Sequence, residues 1–328
     1  MEKLCRLFGK NRQSWYKATL LKESQYMKEM IVIEKVQRIR QELPRLGTEK
    51  LHICLKPFLR DHQIKMGRDK LNKLLKEAGL LVPKFKRYAK TTQSNHRFRK
   101  YENLIQELVL TRANHVWVSD ITYVSIGGYF GYLSLITDAY SHKIVGWHLS
   151  KTLEAKGPIA ALKMALKQRN HTGNKRDTLI HHSDRGVQYC CHAYIELLEE
   201  DDIQISMTQN GDPYENAIAE RVNGIIKNEV LPHPGFPNFE QALEGIRQAI
   251  KAYNTLRPHR SCDMLTPEQA HLQQGPLKKR WTNYYQLNRQ PDDERHSHKH
   301  VPPVAPPLPC KSTIAQPGRS VTEKNYLE

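Results

Sequence analysis

The chain has 328 residues, with 51 Lys and Arg against 34 Asp and Glu, and this length suits two or three domains with a buried core, which excludes disorder throughout. The net charge of +17 indicates a polyanionic partner and favours phosphate groups, without distinguishing DNA, RNA and a membrane surface. No apolar run reaches the roughly 18–20 residues of a membrane span, and the N-terminus lacks a secretory signal, so we expect a cytoplasmic protein. The six cysteines lack the spacing of a disulfide scaffold or a zinc site, so we expect reduced thiols.

Residues 1–82 are predicted to form a helical, DNA-binding region. Gly9 separates two stretches, and the second, NRQSWYKATLL, predicts a short helix that carries Arg12 and Lys17. Two short helices around a glycine fit a helix-turn-helix, in which these two cations would contact DNA, although the same pattern is common in proteins that bind no nucleic acid. A clearer helix is DKLNKLLKEAGL, whose leucines recur at helical spacing before Gly79.

Residues 83–113 are predicted to form a basic linker. The stretch KFKRYAKTTQSNHRFRK, residues 84–100, has seven Lys or Arg, no acidic residue and three interleaved aromatic residues. A solvated linker is the simpler interpretation. The same charges would also suit a linker that follows DNA phosphates, and both interpretations stay open.

Residues 114–272 alternate between strand and helix patterns. The segments HVWVSDITYV, GYFGYLSLITDAY and SHKIVGWHLS are rich in β-branched and aromatic residues, which predicts three strands. A helix, a strand at RDTLIHHSD, a helix near 192–200, a short strand at IQISMT and helices near 213–229 and 238–253 follow. This order predicts an α/β fold in which a mixed sheet of five strands is flanked by helices.

Residues 273–328 are predicted to be a poorly ordered tail, because eight of the 18 prolines lie from Pro276 onward. The alternating HSHKH within it is interpreted as a flexible tract rather than as a metal site.

Two aspartates of the predicted core occupy positions that a catalytic or metal-binding role would explain. Asp120 lies in the middle of a strand, where Asp is disfavoured, and a half-buried carboxylate needs a donor, a cation or a metal. Asp184 follows the strand TLIHHS at the end of the sheet, where side chains project into a crevice. Each also has an ordinary explanation, since Asp120 could be a hydrogen-bonded surface residue and Asp184 could pair with Arg185.

Glu220 lies on a helix beside its buried stripe. The adjacent polar stripe comprises Asn216, Glu220, Asn223 and Lys227. Glu215 has a capping role at the start of this helix, whereas Glu220 has none. By itself this stripe would be a solvated helix face.

Three carboxylates brought together would repel one another by roughly 3 kcal/mol per pair at about 5 Å and an effective dielectric constant of about 20. Divalent cations remove this repulsion, and Mg²⁺ prefers a few carboxylates together with water and phosphate oxygens. Two such ions about 3.5–4 Å apart stabilise both the entering and the leaving oxygen of a phosphodiester displacement. A basic chain with such a site is suited to cutting or joining nucleic acid.

The spacing of these carboxylates resembles a known pattern. Between Asp184 and Glu220 lie 35 residues, and Lys227 follows Glu220 by two helical turns, as in the DD(35)E pattern of retroviral integrases and insertion-sequence transposases. The segments WVSDITYV, DAYSHKIVGWHLS, HHSDRGVQY, SMTQNGDPYENAIAERVNGIIKNE and YNTLRPHRSCDMLTP are similar to the catalytic second-frame subunit of the insertion-sequence class three family. The chain departs from that family at Arg221-Val222-Asn223, where SFF is common.

This resemblance implies an RNase H-like catalytic core in residues 114–272. It also implies that Asp120, Asp184 and Glu220 are catalytic and bind two Mg²⁺ or Mn²⁺ ions. Lys227 is similar to the basic residue of the family that contacts the terminal DNA of the element.

The segment YNTLRPHR offers three further residues to a DNA backbone at the end of a helix. These are Arg257, His259 and Arg260. Pro258 also makes the segment an ordinary terminating loop, so DNA contact is one of two interpretations.

The resemblance implies a bacterial, nucleoid-associated DNA transposase that cleaves the ends of an insertion element and joins the freed 3′ hydroxyl to a second phosphodiester. Its expected partners are the terminal inverted repeats, the target DNA, further copies of itself on DNA, and an upstream first-frame protein to which it is often fused by frameshifting. Two alternatives stay open: a catalytically silent DNA-binding regulator, and a metal-dependent nuclease without strand transfer.

Overall fold

The computed structural model describes residues 7–9, 11–83, 99–106, 108–171, 178–209 and 215–280, without the side chains of Arg12 and His171. Three predictions therefore lie wholly or largely outside the described residues. They concern the short helix before Gly9, phosphate contacts by the basic stretch 84–100, and the tail from residue 281 with its histidines.

Five strands form a single mixed sheet. Their bounds are β1 Val116–Ile126, β2 Tyr129–Asp138, β3 Ile144–Ser150, β4 Ile180–Ser183 and β5 Gln204–Met207. Their order is β3-β2-β1-β4-β5, with antiparallel pairing of β1 to β2 and of β2 to β3, and parallel pairing of β1 to β4 and of β4 to β5. Gly127 and Gly128, both at positive φ, form the tight turn between β1 and β2. The predicted mixed five-stranded sheet and RNase H-like core are confirmed.

Helices cover both faces of this sheet. Their bounds are α1 Arg12–Glu42, α2 Thr48–Asp61, α3 Arg68–Glu77, α4 Lys156–His171, α5 Val187–Cys190, α6 His192–Glu200, α7 Ala217–Ile225, α8 Phe239–Leu256 and α9 Pro267–His271, with a π-helical turn Ile226–Val230 directly after α7 and a 3₁₀ turn Arg260–Cys262. One face packs against α4 and α6 through Trp117 and Leu162, and the other packs against α7 and α8 through Val124 and Ile246. Among the described helices, none is long and apolar enough to cross a membrane.

The first described helix differs from its prediction. The second short helix expected after Gly9 is instead α1, which continues for 31 residues, because its sequence contains no Gly or Pro that would end it. Asn11 caps it, since its side chain accepts a hydrogen bond from the Gln13 backbone N–H at 2.6 Å. Lys17 lies on the exposed first part of α1. The helix predicted before Gly79 is confirmed as α3, and Gly79 has φ +66°.

The N-terminal helices share one hydrophobic core with the sheet. Leu51 and Leu55 of α2 belong to the same buried cluster as Val222 of α7 and Ile250 of α8. The described residues up to 280 accordingly form one compact unit. The change of sequence character near residue 82 therefore does not separate two hydrophobic cores.

The described core also extends beyond the predicted limits of 114 and 272. Before it, the Met207 N–H donates to the Glu102 carbonyl at 3.2 Å, and the Leu104 N–H donates to Ser206 Oγ at 2.9 Å. After it, the Gly275 N–H donates to the Thr111 carbonyl at 2.7 Å. The last part of the predicted linker and the first part of the predicted tail thus pack against the sheet.

We predict that Leu55→Ala lowers the free energy of unfolding of the whole compact unit by about 2–5 kcal/mol, because the substitution leaves a cavity in the shared core. Chemical denaturation followed by near-ultraviolet circular dichroism measures this change. The control is Leu20→Ala, at a side chain on α1 that is 65% exposed. A separate transition for residues 1–82, with the catalytic core unfolding as in the wild type, would show that the core is not shared.

Candidate active site

The two predicted catalytic aspartates lie side by side on neighbouring strands. In the parallel pairing of β1 with β4, Ser119 is opposite Ser183. Asp120 directly follows Ser119, and Asp184 directly follows Ser183. The strand β4 ends at Ser183, whereas β1 continues to Ile126. Asp120 is therefore mid-strand in β1 and yet at the edge of the parallel part of the sheet, which is where crevices form in α/β folds.

Glu220 approaches these aspartates from α7, which packs against β1. One turn before it, Asn216 donates from Nδ2 to the Ser119 carbonyl at 3.1 Å. Just under one turn after it, Asn223 donates from Nδ2 to Asp120 Oδ2 at 2.8 Å. Both asparagines are buried, whereas Glu220 is exposed. Asn216 and Asn223 thus face the strand that carries Asp120, whereas Glu220 and Lys227 of the same stripe are exposed.

The carboxylates influence one another electrostatically. Burial raises the pKa of Asp120 to about 7, and the negative charges of Asp184 and Glu220 add to this increase. Hydrogen bonds from the Ile121 N–H, at 2.8 Å from Oδ1, and from Asn223 lower the pKa in part. The structure therefore brings the three predicted residues within electrostatic reach of one another.

The donor set suits a hard divalent cation that also binds substrate. In the described residues, no group of three or more His, Cys, Asp or Glu side chains forms a ready-made metal-binding cluster. Mg²⁺ does not require one, because it is commonly held by one or two carboxylates, water and substrate phosphates. Two adjacent aspartates at one sheet edge, with the charge of Glu220 also acting on Asp120, fit this requirement.

The two histidines of HHSDRGVQY lie beneath the site as neutral, buried groups. His181 Nε2 is 2.7 Å from Ser119 Oγ and 2.9 Å from the Tyr194 hydroxyl, and burial lowers its pKa to about 3. His182 Nδ1 is 2.8 Å from Ser206 Oγ, and burial lowers its pKa to about 4. Both therefore connect β4 to its neighbours rather than carry positive charge to a phosphate.

The structure contradicts the predicted DNA contact for two residues. Arg257 is only 1% exposed and forms an ion pair with Glu229 at 2.7 Å. His259 is 5% exposed and stacks on His142 with a ring-centroid distance of 5.4 Å. Both side chains are directed into the protein, so the segment YNTLRPHR closes the core at these positions.

The other predicted DNA-contact residues are compatible with a surface role. Lys227 is exposed on the π-helical turn after α7, and Lys17 is exposed on α1. The Arg260 side chain is 51% exposed and lies 3.5 Å from Glu49. The side chain of Arg12 is outside the described residues.

Sequence reasoning missed three polar residues around the site. Sequence patterns placed Asn216 and Asn223 on the polar stripe but predicted no contact for them. Their helical spacing from Glu220 could have predicted that they contact β1. Glu229 lies two positions after Lys227 and pairs with Arg257. No local pattern could have indicated that pair, because the two residues are far apart in sequence.

Comparisons with known proteins identify the family that this chain resembles. A family model described as "Integrase core domain" matches residues 111–213, and a second model with that description matches residues 201–267. The "Insertion element IS600 uncharacterized 31 kDa protein" of Shigella sonnei is 35% identical over 270 residues, which cover 80% of this chain and 96% of that protein.

Two further relatives are described as transposases. The transposase InsF for insertion sequence IS3A of Escherichia coli (strain K12) is 30% identical over 197 residues, covering 60% of this chain and 67% of its own. The transposase for insertion sequence element IS904 of Lactococcus lactis is 28% identical over 233 residues, covering 65% and 90%. Among solved structures, the HTLV-2 integrase catalytic core domain in complex with magnesium aligns with 49% of this chain and 97% of its own at 22% identity and a TM-score of 0.37.

We predict that Asp120→Asn stabilises the metal-free protein at neutral and alkaline pH. The pKa of Asp120 is raised in the folded state to about 7, whereas in the unfolded chain it is about 4. As the pH rises, the unfolded chain therefore loses this proton before the folded protein does. The carboxyl group consequently destabilises the fold increasingly from about pH 4 to pH 7. At pH 8 the melting temperature of the variant should be at least about 2 °C above that of the wild type, which is the shift that roughly 1 kcal/mol produces in a unit of this size. Near pH 3 the two melting temperatures should be equal.

Thermal melts with and without Mg²⁺ complete this test. Added Mg²⁺ should raise the melting temperature of the wild type and have little effect on Asp120→Asn, because bound ligand stabilises only a fold that binds it. Equal melting temperatures of the two proteins at pH 8 without metal would contradict the electrostatic account.

Proposed function

This chain belongs to the insertion-sequence class three family of DDE transposases, and we propose that Asp120, Asp184 and Glu220 are the catalytic residues with which it acts on DNA. The observation that carries this assignment is the register of β1 and β4, which places the two aspartates side by side, with the charges of Asp184 and Glu220 both acting on Asp120. A carboxylate whose pKa is raised by burial and by two neighbouring carboxylates, as that of Asp120 is, is typical of a divalent-metal site.

Each residue has a distinct position in the proposed site. Asp120 is held by the Ile121 N–H and by Asn223, so its carboxylate is oriented before metal binds. Asp184 Oδ1 accepts a hydrogen bond from the Gly186 N–H at 3.0 Å. Glu220 reaches the same region from α7. These contacts leave carboxylate oxygens oriented to hold Mg²⁺ or Mn²⁺, and two ions are the number that phosphodiester displacement favours.

The proposed reaction has two displacements at phosphorus. In the first, a water oxygen bonds to phosphorus at the end of the element and the 3′ oxygen leaves with a proton as a hydroxyl group. In the second, this 3′ hydroxyl oxygen bonds to phosphorus in the target while the target P–O3′ bond breaks, and the proton that the attacking hydroxyl loses is balanced by the one that the leaving 3′ oxygen takes up. Bound divalent cations supply Lewis-acid activation of the attacking oxygen and stabilise the charge of the leaving one.

The proposed partners follow from charge and family. The net charge of +17 suits binding of double-stranded DNA at both the terminal inverted repeats and the target. Lys227 and Arg260 are exposed cations that we assign to the DNA backbone, together with Lys17 and Arg12 of the N-terminal region. We propose further copies of this chain on DNA, and the upstream first-frame protein or a frameshift fusion, as the remaining partners in the bacterial cytoplasm.

A regulator without catalysis is a weaker proposal because it gives no reason for adjacent carboxylates at a strand edge. A nuclease without strand transfer would use the same three residues, and only the products separate it from a transposase.

We predict that the purified full chain, with and without the upstream protein, joins labelled terminal-repeat DNA to target DNA in Mg²⁺. Asp184→Asn and Glu220→Gln should each lower the rates of cleavage and joining by at least about 100-fold and leave DNA retention within about twofold, because they remove metal ligands and not phosphate contacts. Gel analysis of the labelled strands measures all three quantities. A nicked product without joining would indicate a nuclease, and retention without cleavage a regulator.

We predict that Lys227→Ala weakens binding of terminal-repeat DNA and reduces the slope of log Kd against log salt concentration by about one, the effect of losing one phosphate contact. Fluorescence anisotropy over a salt series measures this slope. Arg247→Ala is the matched control, since Arg247 is an exposed cation of α8 that pairs with Glu244 at 2.5 Å. An unchanged slope for Lys227→Ala would remove this residue from the DNA interface.

A further inference from the structure

A partly buried ion cluster connects the active-site helix to the N-terminal helices. Glu229, in the π-helical turn after α7, accepts hydrogen bonds at Oε2 from Arg257 Nε at 3.0 Å and from Arg257 Nη2 at 2.7 Å. Lys50 of α2 approaches the same carboxylate, with Nζ 3.4 Å from each oxygen. Burial works to raise the pKa of Glu229, but the charges of Arg257 and Lys50 outweigh it and keep the pKa low. One carboxylate therefore connects three parts of the chain.

A second N-terminal residue holds the backbone of the same turn. The Arg45 N–H donates to the Glu229 carbonyl at 3.1 Å. Its guanidinium donates from Nη2 to the carbonyls of Leu231 and, at 3.5 Å, of Lys227. Carbonyls at a helix end have no partner within the helix, and a residue from the segment between α1 and α2 supplies one here.

The position of this turn makes these contacts relevant to the reaction. The π-helical turn continues α7 directly, and its Leu231 N–H donates to the Ile226 carbonyl at 2.9 Å. Such turns are uncommon and are frequent at functional sites. This one carries Lys227 and follows Glu220 on the same continuous helical segment, so whatever fixes the turn also fixes how Lys227 is presented.

We propose that Glu229, Lys50 and Arg45 are positioning residues that brace the active-site helix against the N-terminal helices and set the placement of Lys227. Such an ion cluster is a weak source of net stability, because desolvation of its charges offsets much of their attraction and solvent weakens the attraction where they are exposed. Its contribution here is geometric, because a carboxylate held by two cations permits only one placement of the turn. The catalytic consequence rests on the proposed function of Lys227.

Hydrogen–deuterium exchange on the full chain tests the brace without reference to activity. In Glu229→Gln and in Lys50→Met, amide exchange in residues 226–231 should become at least about tenfold faster, with the strands β1 and β2 unchanged. The Lys50→Met variant leaves the pair of Glu229 with Arg257 in place, and so it tests the N-terminal connection if Glu229→Gln does not fold. Glu244→Gln is the control, because Glu244 forms an exposed ion pair with Arg247 on α8.

A double-mutant cycle tests whether the brace acts through Lys227. Glu229→Gln should lower kcat/KM for joining of terminal-repeat DNA by about tenfold, but by less than about twofold in the Lys227→Ala background, because residues that act through one another are not additive. Lys227→Arg should retain the sensitivity to Glu229→Gln that Lys227→Ala loses.

The outcomes separate the brace from the proposed function. Unchanged exchange in residues 226–231 of both variants would overturn the brace, and additive losses in the cycle would overturn its action through Lys227. If the wild type joins no DNA, the proposed function fails. The exchange measurement then still decides whether the brace exists. The affinity for terminal-repeat DNA, measured for the same set of variants, decides whether the brace acts through Lys227.

Discussion

The parallel pairing of β1 with β4 is the constraint on which the rest of the site depends. It places Asp120 and Asp184 side by side where β4 ends, and burial together with the neighbouring carboxylates raises the pKa of Asp120 to about 7. Such an arrangement destabilises the metal-free fold, because at neutral pH it concentrates negative charge in a partly buried place. Functional sites often carry a local instability of this kind, which the surrounding packing and the ligand offset.

The packing of α7 shows how the fold tolerates this charge. On its buried side α7 contributes Val222 to the main hydrophobic core, and on its polar side it turns Asn216 and Asn223 toward β1. Asn223 donates directly to the carboxylate of Asp120, which favours the ionised form that metal requires. The same helix then continues into the π-helical turn, where Glu229 and the N-terminal helices hold its far end. Catalytic and N-terminal regions are thus joined through a hydrophobic core and a partly buried ion cluster.

Local sequence patterns predicted the elements whose signals are local. The β-branched and aromatic strand segments predicted the mixed sheet, because the strand period places side chains on known faces. The proposed triad was instead implied by the resemblance of the spacing from Asp184 to Glu220 to that of a known family. The length of α1 was underestimated because its apolar residues are not regularly spaced. For Arg257 and His259, contact with DNA was predicted from their position at the end of a helix. Their burial depends on Glu229, Lys50 and His142, which lie elsewhere in the chain and which no local pattern connects to them.

The central claim is that Asp120, Asp184 and Glu220 form one divalent-metal site. Anomalous diffraction at the manganese edge from crystals soaked in Mn²⁺ tests it most directly. The account predicts manganese density between the carboxylates of Asp120 and Asp184, with Glu220 directed toward the same density. Manganese bound only elsewhere, or the two aspartate side chains turned away from each other in the metal-soaked crystal, would contradict it.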